Sequence, residues 1–154
     1  MIGDKMEPIL YTMGYEGINQ KEFFNCLKRN NISVVADVRH LPLSRKKGFS
    51  KTSLSEFLSA KNIGYKNYRE LGADKKLRDR LKETGDYDTF FKAMAKSVLK
   101  HKEQLTEINQ MICEGKNVAL MCFEKDFKLC HRKVVALGVK KINGNGLKII
   151  HLTT

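Results

Sequence analysis

The chain has 154 residues, a length that suits one domain able to bury a core without disulfides or metals. Its 29 Lys and Arg outnumber 17 Asp and Glu, giving a formal net charge of +12 and a field that attracts anions. No run approaches the ~20 apolar residues of a membrane helix, and Met1 to Pro8 carry charges without the apolar core of a signal peptide, so a cytoplasmic protein without membrane contact is expected.

Ile9 to Met13 form a short apolar run stopped by Gly14 and predict a buried strand. Asn19, three residues before Glu22, predicts a capping box. Phe23, Phe24 and Leu27 then recur at helical spacing, so residues 20–30 predict an amphipathic helix ended by Asn30-Asn31. Ile32 to Val38 predict a second strand, which with the helix makes a βαβ unit and hence parallel strands. Leu41 to Thr52 are polar and basic and predict a loop. Ser53 and Glu56 predict the cap of a helix that buries Leu54, Phe57 and Leu58. Ile63 to Tyr68 predict a short third strand. Residues 74–114 are mostly helical, closed by Gly115 as a left-handed cap.

Val118 to Phe123 are uninterrupted apolar residues and predict a strand covered on both faces. A helix opens near Cys130 and runs to about Lys141; Asn143 to Gly146 predict a turn, and Leu147 to Leu152 a last strand. The expected fold class is therefore α/β: one open, mostly parallel sheet of four to five strands with helices on both faces.

Such sheets bind ligands beyond the carboxyl ends of their strands. Gly14, Tyr15 and Glu16 follow the first strand; Asp37, Arg39 and His40 stand at the end of the second. Cys122, Glu124 and then Cys130, His131 and Arg132 follow the Val118 strand. A carboxylate such as Asp37 at the end of an apolar strand needs a partner, and Arg39 two residues later can share its face. The pair either orients a guanidinium toward an anion or is a buried ion pair. Cys122, inside an apolar strand, reads by itself first as a small buried hydrophobe, with a nucleophile as the alternative. Cys130 precedes a helix, where the N-terminus favours a thiolate and binds anions. Arg132 in the first turn opposes the helix dipole, which makes sense if it binds an anion there. Arg45 is a loop cation.

Four cysteines, Cys26, Cys113, Cys122 and Cys130, predict thiols, ligands or nucleophiles in a reducing compartment. Cys122, Cys130 and His131 offer three metal donors, but C-x7-C-H matches none of the usual paired spacings, so no metal is expected, and no cofactor either. A phosphatase-type loop places an arginine six residues after its cysteine; here Lys128 stands there and Arg132 comes too late. A redox pair of Cys122 and Cys130 stays open.

Five short motifs in order resemble the DUF488 family, a domain of unknown function: Thr12-Met13-Gly14-Tyr15-Glu16, Asp37-Val38-Arg39, Pro42-Leu43-Ser44-Arg45 before Phe49, Ile63-Gly64-Tyr65 with Leu71-Gly72, and Cys122-Phe123-Glu124 with Cys130-His131-Arg132. Tyr15 stands where a histidine is common in that family. The resemblance implies that these polar residues form a common site and supplies no reaction.

Three readings follow. The first is an enzyme on a nucleotide, nucleic-acid or other phosphate-bearing substrate. Glu124 or Asp37 would be its acid or base, Cys130 or Cys122 its nucleophile, and Arg39, Arg45 and Arg132 its phosphate ligands, with His131, Gly14 and Tyr15 also at the binding site. The second is a basic nucleic-acid-binding module without chemistry. The third is a buried network of Asp37, Arg39, Glu124 and Arg132 that only fixes loops. The sequence leaves the oligomeric state undetermined.

Overall fold

The computed structural model describes residues 7–144 and 146–154. The first six residues, read above for a signal peptide, and Asn145 of the 143–146 turn lie outside the described residues. Within them strands and helices alternate: β1 (Ile9–Gly14), α1 (Gln20–Arg29), β2 (Val34–Asp37), α2 (Lys51–Ala60), β3 (Gly64–Asn67), α3 (Lys75–Thr84), α4 (Tyr87–Leu99), α5 (Lys102–Cys113), β4 (Val118–Cys122), α6 (Arg132–Asn143) and β5 (Lys148–His151). Short 3-10 turns at Arg69–Leu71 and Phe127–Leu129 follow β3 and β4.

The five strands form one sheet in the order β3-β2-β4-β1-β5, and every pairing is parallel. The expected α/β class holds. β4 lies between β1 and β2, so the first βαβ unit straddles it. Val118 is in register with Leu10 on one side and with Val34 on the other. All five residues of β4 are buried, as its unbroken apolar run requires.

Side chains of β4 alternate between two cores. Val118, Leu120 and Cys122 join Met94, Leu105 and Val135 beneath α4, α5 and α6. Ala119 and Met121 join Phe23, Leu27 and Leu58 beneath α1 and α2. Helices thus cover both faces. Asn19 makes the predicted capping box with Glu22, and Asn31 ends the turn after α1 at φ 54°. Gly115 takes φ 93° after α5.

One predicted boundary is corrected. α2 begins at Lys51, so Ser53 lies inside it, and the residue at the cap position is Ser50. The start is set by tertiary contacts: Phe49 is wholly buried, the Lys51 amide donates to the Pro42 carbonyl at 2.8 Å, and the Ser50 hydroxyl accepts from the Ser44 amide at 3.0 Å. The helical stretch 74–114 divides into three helices, because Asp74 and Asp86 cap α3 and α4 and Gly85 between them is left-handed at φ 66°. Among the described residues no helix is long and apolar enough to cross a membrane.

Leu120 is wholly buried in the central strand, whereas Leu137 on α6 is 59% exposed. Leu120→Ala should lower unfolding free energy by about 2–5 kcal/mol, and Leu137→Ala by no more than about 0.5 kcal/mol. Denaturant midpoints compare the two, and equal shifts would remove Leu120 from the core.

Candidate active site

Parallel register brings three strand ends to one edge: Gly14 of β1 stands opposite Cys122 of β4, and Asp37 of β2 opposite Met121. A cavity of about 850 Å3 opens there. Its lining has a buried end, with Tyr15, Arg39, Cys122 and His131, and an exposed mouth that includes Arg45, Arg78 and Lys82. Of the residues singled out from the sequence, Tyr15, Arg39, Arg45, Cys122, Glu124 and His131 line it, and Gly14, Asp37, Cys130 and Arg132 do not.

Asp37 and Arg39 share a face and form a buried ion pair. The Asp37 carboxylate accepts from Arg39 Nε at 2.9 Å, from its terminal nitrogen at 2.7 Å and from its backbone amide at 3.1 Å. The Tyr65 hydroxyl also donates to it. The second terminal nitrogen of Arg39 donates to the Phe49 carbonyl at 2.7 Å and to the Tyr15 hydroxyl at 3.1 Å. Tyr15 in turn stacks on Phe49, with ring centroids 4.5 Å apart. Asp37 is therefore withdrawn beneath Arg39, and the bidentate pair holds the loop that carries Arg45 and Lys46.

On the other face of the sheet, Cys122, Cys130 and His131 converge, their donor atoms all within 4.8 Å of one another. His131 Nε2 lies 2.8 Å from the Val38 carbonyl oxygen. A carbonyl only accepts, so Nε2 carries a hydrogen and Nδ1 faces Cys122 Sγ at 3.7 Å. Burial opposes charge on Cys130, but hydrogen bonds from Cys122 and His131, with the positive charges of His131 and Arg132, hold its thiol well below the ordinary range. Burial likewise opposes charge on His131, and the Cys130 sulfur and the Val38 carbonyl overcome it and raise the imidazole. Cys122, by contrast, is raised, by its hydrogen bond to Cys130 and then by burial, so the two thiols are pushed in opposite directions. Glu124 is pushed up to about 7 by burial and then by the neighbouring Cys130. Its Oε2 is buried without a hydrogen-bond partner among the described residues.

Arg132 is completely buried. Its Nε donates to the Thr12 hydroxyl at 3.1 Å, and its terminal nitrogens donate to the carbonyls of Glu124 and Lys125. Backbone carbonyls thus occupy the guanidinium at the helix start, and these also answer its misfit with the helix dipole. Gly14 has a steric role, since a Cβ there would overlap the Glu124 carbonyl and crowd Arg132.

Sequence reading passed over Arg78, Lys82 and Phe123 as site residues. All three line the cavity. Arg78 and Lys82 are four residues apart on α3, a helix with no buried residue. That spacing along one helix was the available signal.

Asp37→Asn leaves Arg39 buried without its counter-charge and should cost about 3–5 kcal/mol. Tyr65→Phe removes one of several donors to the same carboxylate and should cost about 1 kcal/mol. Urea titrations distinguish them, and a small Asp37→Asn effect would mean the ion pair is dispensable. A second prediction concerns pH. The carboxyl of Glu124 binds its proton more tightly in the folded chain, at about 7, than at its ordinary 4.5. Its contribution is full below about pH 4.5 and is lost as pH rises through 7, at most about 3 kcal/mol. In reduced, metal-free protein Glu124→Gln should flatten stability across that window; an unaltered profile would contradict the assignment.

No curated protein and no solved structure matches the chain. The model of one family, described as "Domain of unknown function DUF488", matches residues 19–137. That span carries the Asp37–Arg39 pair and the whole Cys122–Arg132 segment, while the Thr12–Glu16 motif lies just ahead of it. The chain belongs to the DUF488 family.

Proposed function

We propose that the chain is an enzyme acting on a small phosphate-bearing substrate, of which a nucleotide is the best-fitting class. The observation that carries this reading is the charge of the cavity: its lining includes five Lys and Arg (Arg39, Arg45, Lys46, Arg78 and Lys82) and one carboxylate, Glu124. Such a concentration of one sign in a cleft with low-dielectric walls draws an anion inward. The volume of about 850 Å3 falls within the ~300–1,000 Å3 of small-molecule sites.

The cations have different tasks. Arg39 is locked by Asp37 and offers a fixed charge at the buried end. Arg45, Arg78 and Lys82 are exposed and are free to close on a phosphate. Phe123, 43% exposed, offers an aromatic face on which a planar ring can stack. At the buried end the unpartnered oxygen of Glu124 gives or takes a proton on whatever part of the substrate reaches it. A module that only grips a nucleic-acid backbone has no use for a buried, unpaired carboxyl beside two thiols, which favours chemistry over binding alone.

Calorimetric titration with adenosine and guanosine 5′-monophosphates, each beside its nucleoside, tests the reading. The monophosphate should bind and the nucleoside should bind at least about tenfold more weakly, a difference of about 1.4 kcal/mol. Arg78→Ala with Lys82→Ala should weaken monophosphate binding by a similar factor and leave the unfolding midpoint in place, because α3 buries none of its residues. Equal binding of nucleoside and nucleotide, or an unaffected double variant, would sink it. Tight oligonucleotide binding with a steep salt slope, and no monophosphate binding, would instead favour the module without chemistry.

A further inference from the structure

The geometry points to a binding site for a thiophilic divalent cation, of the zinc class, formed by Cys122 Sγ, Cys130 Sγ and His131 Nδ1, with the fourth position open to the cavity. This goes beyond the anionic-substrate reading and does not depend on it. The three residues are buried and their donor atoms lie within 4.8 Å of one another. Tetrahedral zinc, with bonds of about 2.3 Å to sulfur and about 2.0 Å to nitrogen, sets two sulfurs about 3.8 Å apart and sulfur and nitrogen about 3.6 Å apart. Cys122 Sγ and His131 Nδ1 already stand at 3.7 Å. Small side-chain adjustments complete the set.

The surroundings suit the same ion. A metal-bound imidazole needs its other nitrogen held as a donor, and His131 Nε2 is so held by the Val38 carbonyl at 2.8 Å. The Arg132 amide donates to Cys130 Sγ at 3.5 Å, a contact that favours thiolate. Cys122 and His131 line the cavity and Cys130 does not, so the open position faces the cavity, on the side of Glu124. A water in that position would find an acceptor in the buried, unpartnered Glu124 Oε2. Three protein ligands and one open position are the pattern of reactive zinc sites, whereas structural sites are closed by four. The linear C-x7-C-H spacing hides this, because one ligand comes from a strand end and two from the start of a helix.

The test is titration of reduced, metal-stripped, full-length chain with Co2+ and then Zn2+. The expected result is one Co2+ per chain, with thiolate-to-cobalt charge-transfer absorption, the strong visible bands of a tetrahedral site, and displacement by Zn2+. Cys130→Ser should weaken Co2+ binding by more than about a hundredfold, since loss of a mere supporting contact costs 10–100-fold. Cys113→Ser, at an exposed thiol, should change nothing, and Glu124→Gln should retain the ion. No stoichiometric uptake, a weak octahedral spectrum without charge transfer, or binding indifferent to Cys130→Ser would each overturn the proposal. The wild-type spectrum decides even if Cys130→Ser does not fold, and because it reads metal alone, its failure is distinct from failure of nucleotide binding.

Discussion

The guanidinium of Arg132 sits at zero exposure with no carboxylate of the described residues paired to it. A buried cation is costly unless its hydrogen bonds are answered, and here the answer comes from the Thr12 hydroxyl of β1 and two carbonyls of the loop after β4. Thr12 is itself 2.6 Å from His151 Nδ1 of β5, and the His151 ring stacks on Phe127 at 3.7 Å. One side chain therefore ties α6, two strands and the 124–127 loop together. Because Arg132 directly follows Cys130 and His131, that tie also fixes where the reactive residues stand. Gly14 leaves the space through which the loop passes.

A second buried arginine does comparable work on the opposite face. Arg39, held by Asp37, reaches the Phe49 carbonyl and so draws the 41–50 loop down onto the sheet. The two arginines differ in their counter-charge. Asp37 balances Arg39 directly, while Arg132 lies beside the cysteine pair and lowers the pKa of Cys130. The buried end of the cavity is thus lined by a cation that Asp37 neutralises, while Arg132 lies outside the lining. Its mouth is lined with exposed cations. An anion entering it passes those cations, and the one carboxylate in the lining is Glu124, which burial pushes up to about 7.

Much of this was legible before any geometry. The unbroken apolar run 118–123 could only be a central strand, and the polar residues after Gly14, Val38 and Cys122 could only gather at one edge of a parallel sheet. Roles were less legible. Arg132 and Arg39 both looked like phosphate ligands, because a charged residue near a strand end or helix start reads the same whether it points to ligand or to backbone. The start of α2 was misread at Ser53, since the competing burial of Phe49 is a long-range fact. Arg78 and Lys82 were passed over because nothing in the local sequence of α3 says which cavity its face borders.

The sequence by itself determined the alternation of strands and helices, the family, and the set of residues from which a site could be built, because periodicity, capping and turn chemistry are local. Tertiary structure alone decided which members of that set face the cavity and which are consumed in holding it open. It placed β4 between β1 and β2, sank Asp37 beneath Arg39, spent Arg132 on carbonyls, and drew Cys122 to Cys130 and His131 across seven intervening residues. Those outcomes depend on packing and on the cost of burying unpaired charge, and both are settled only when distant segments meet.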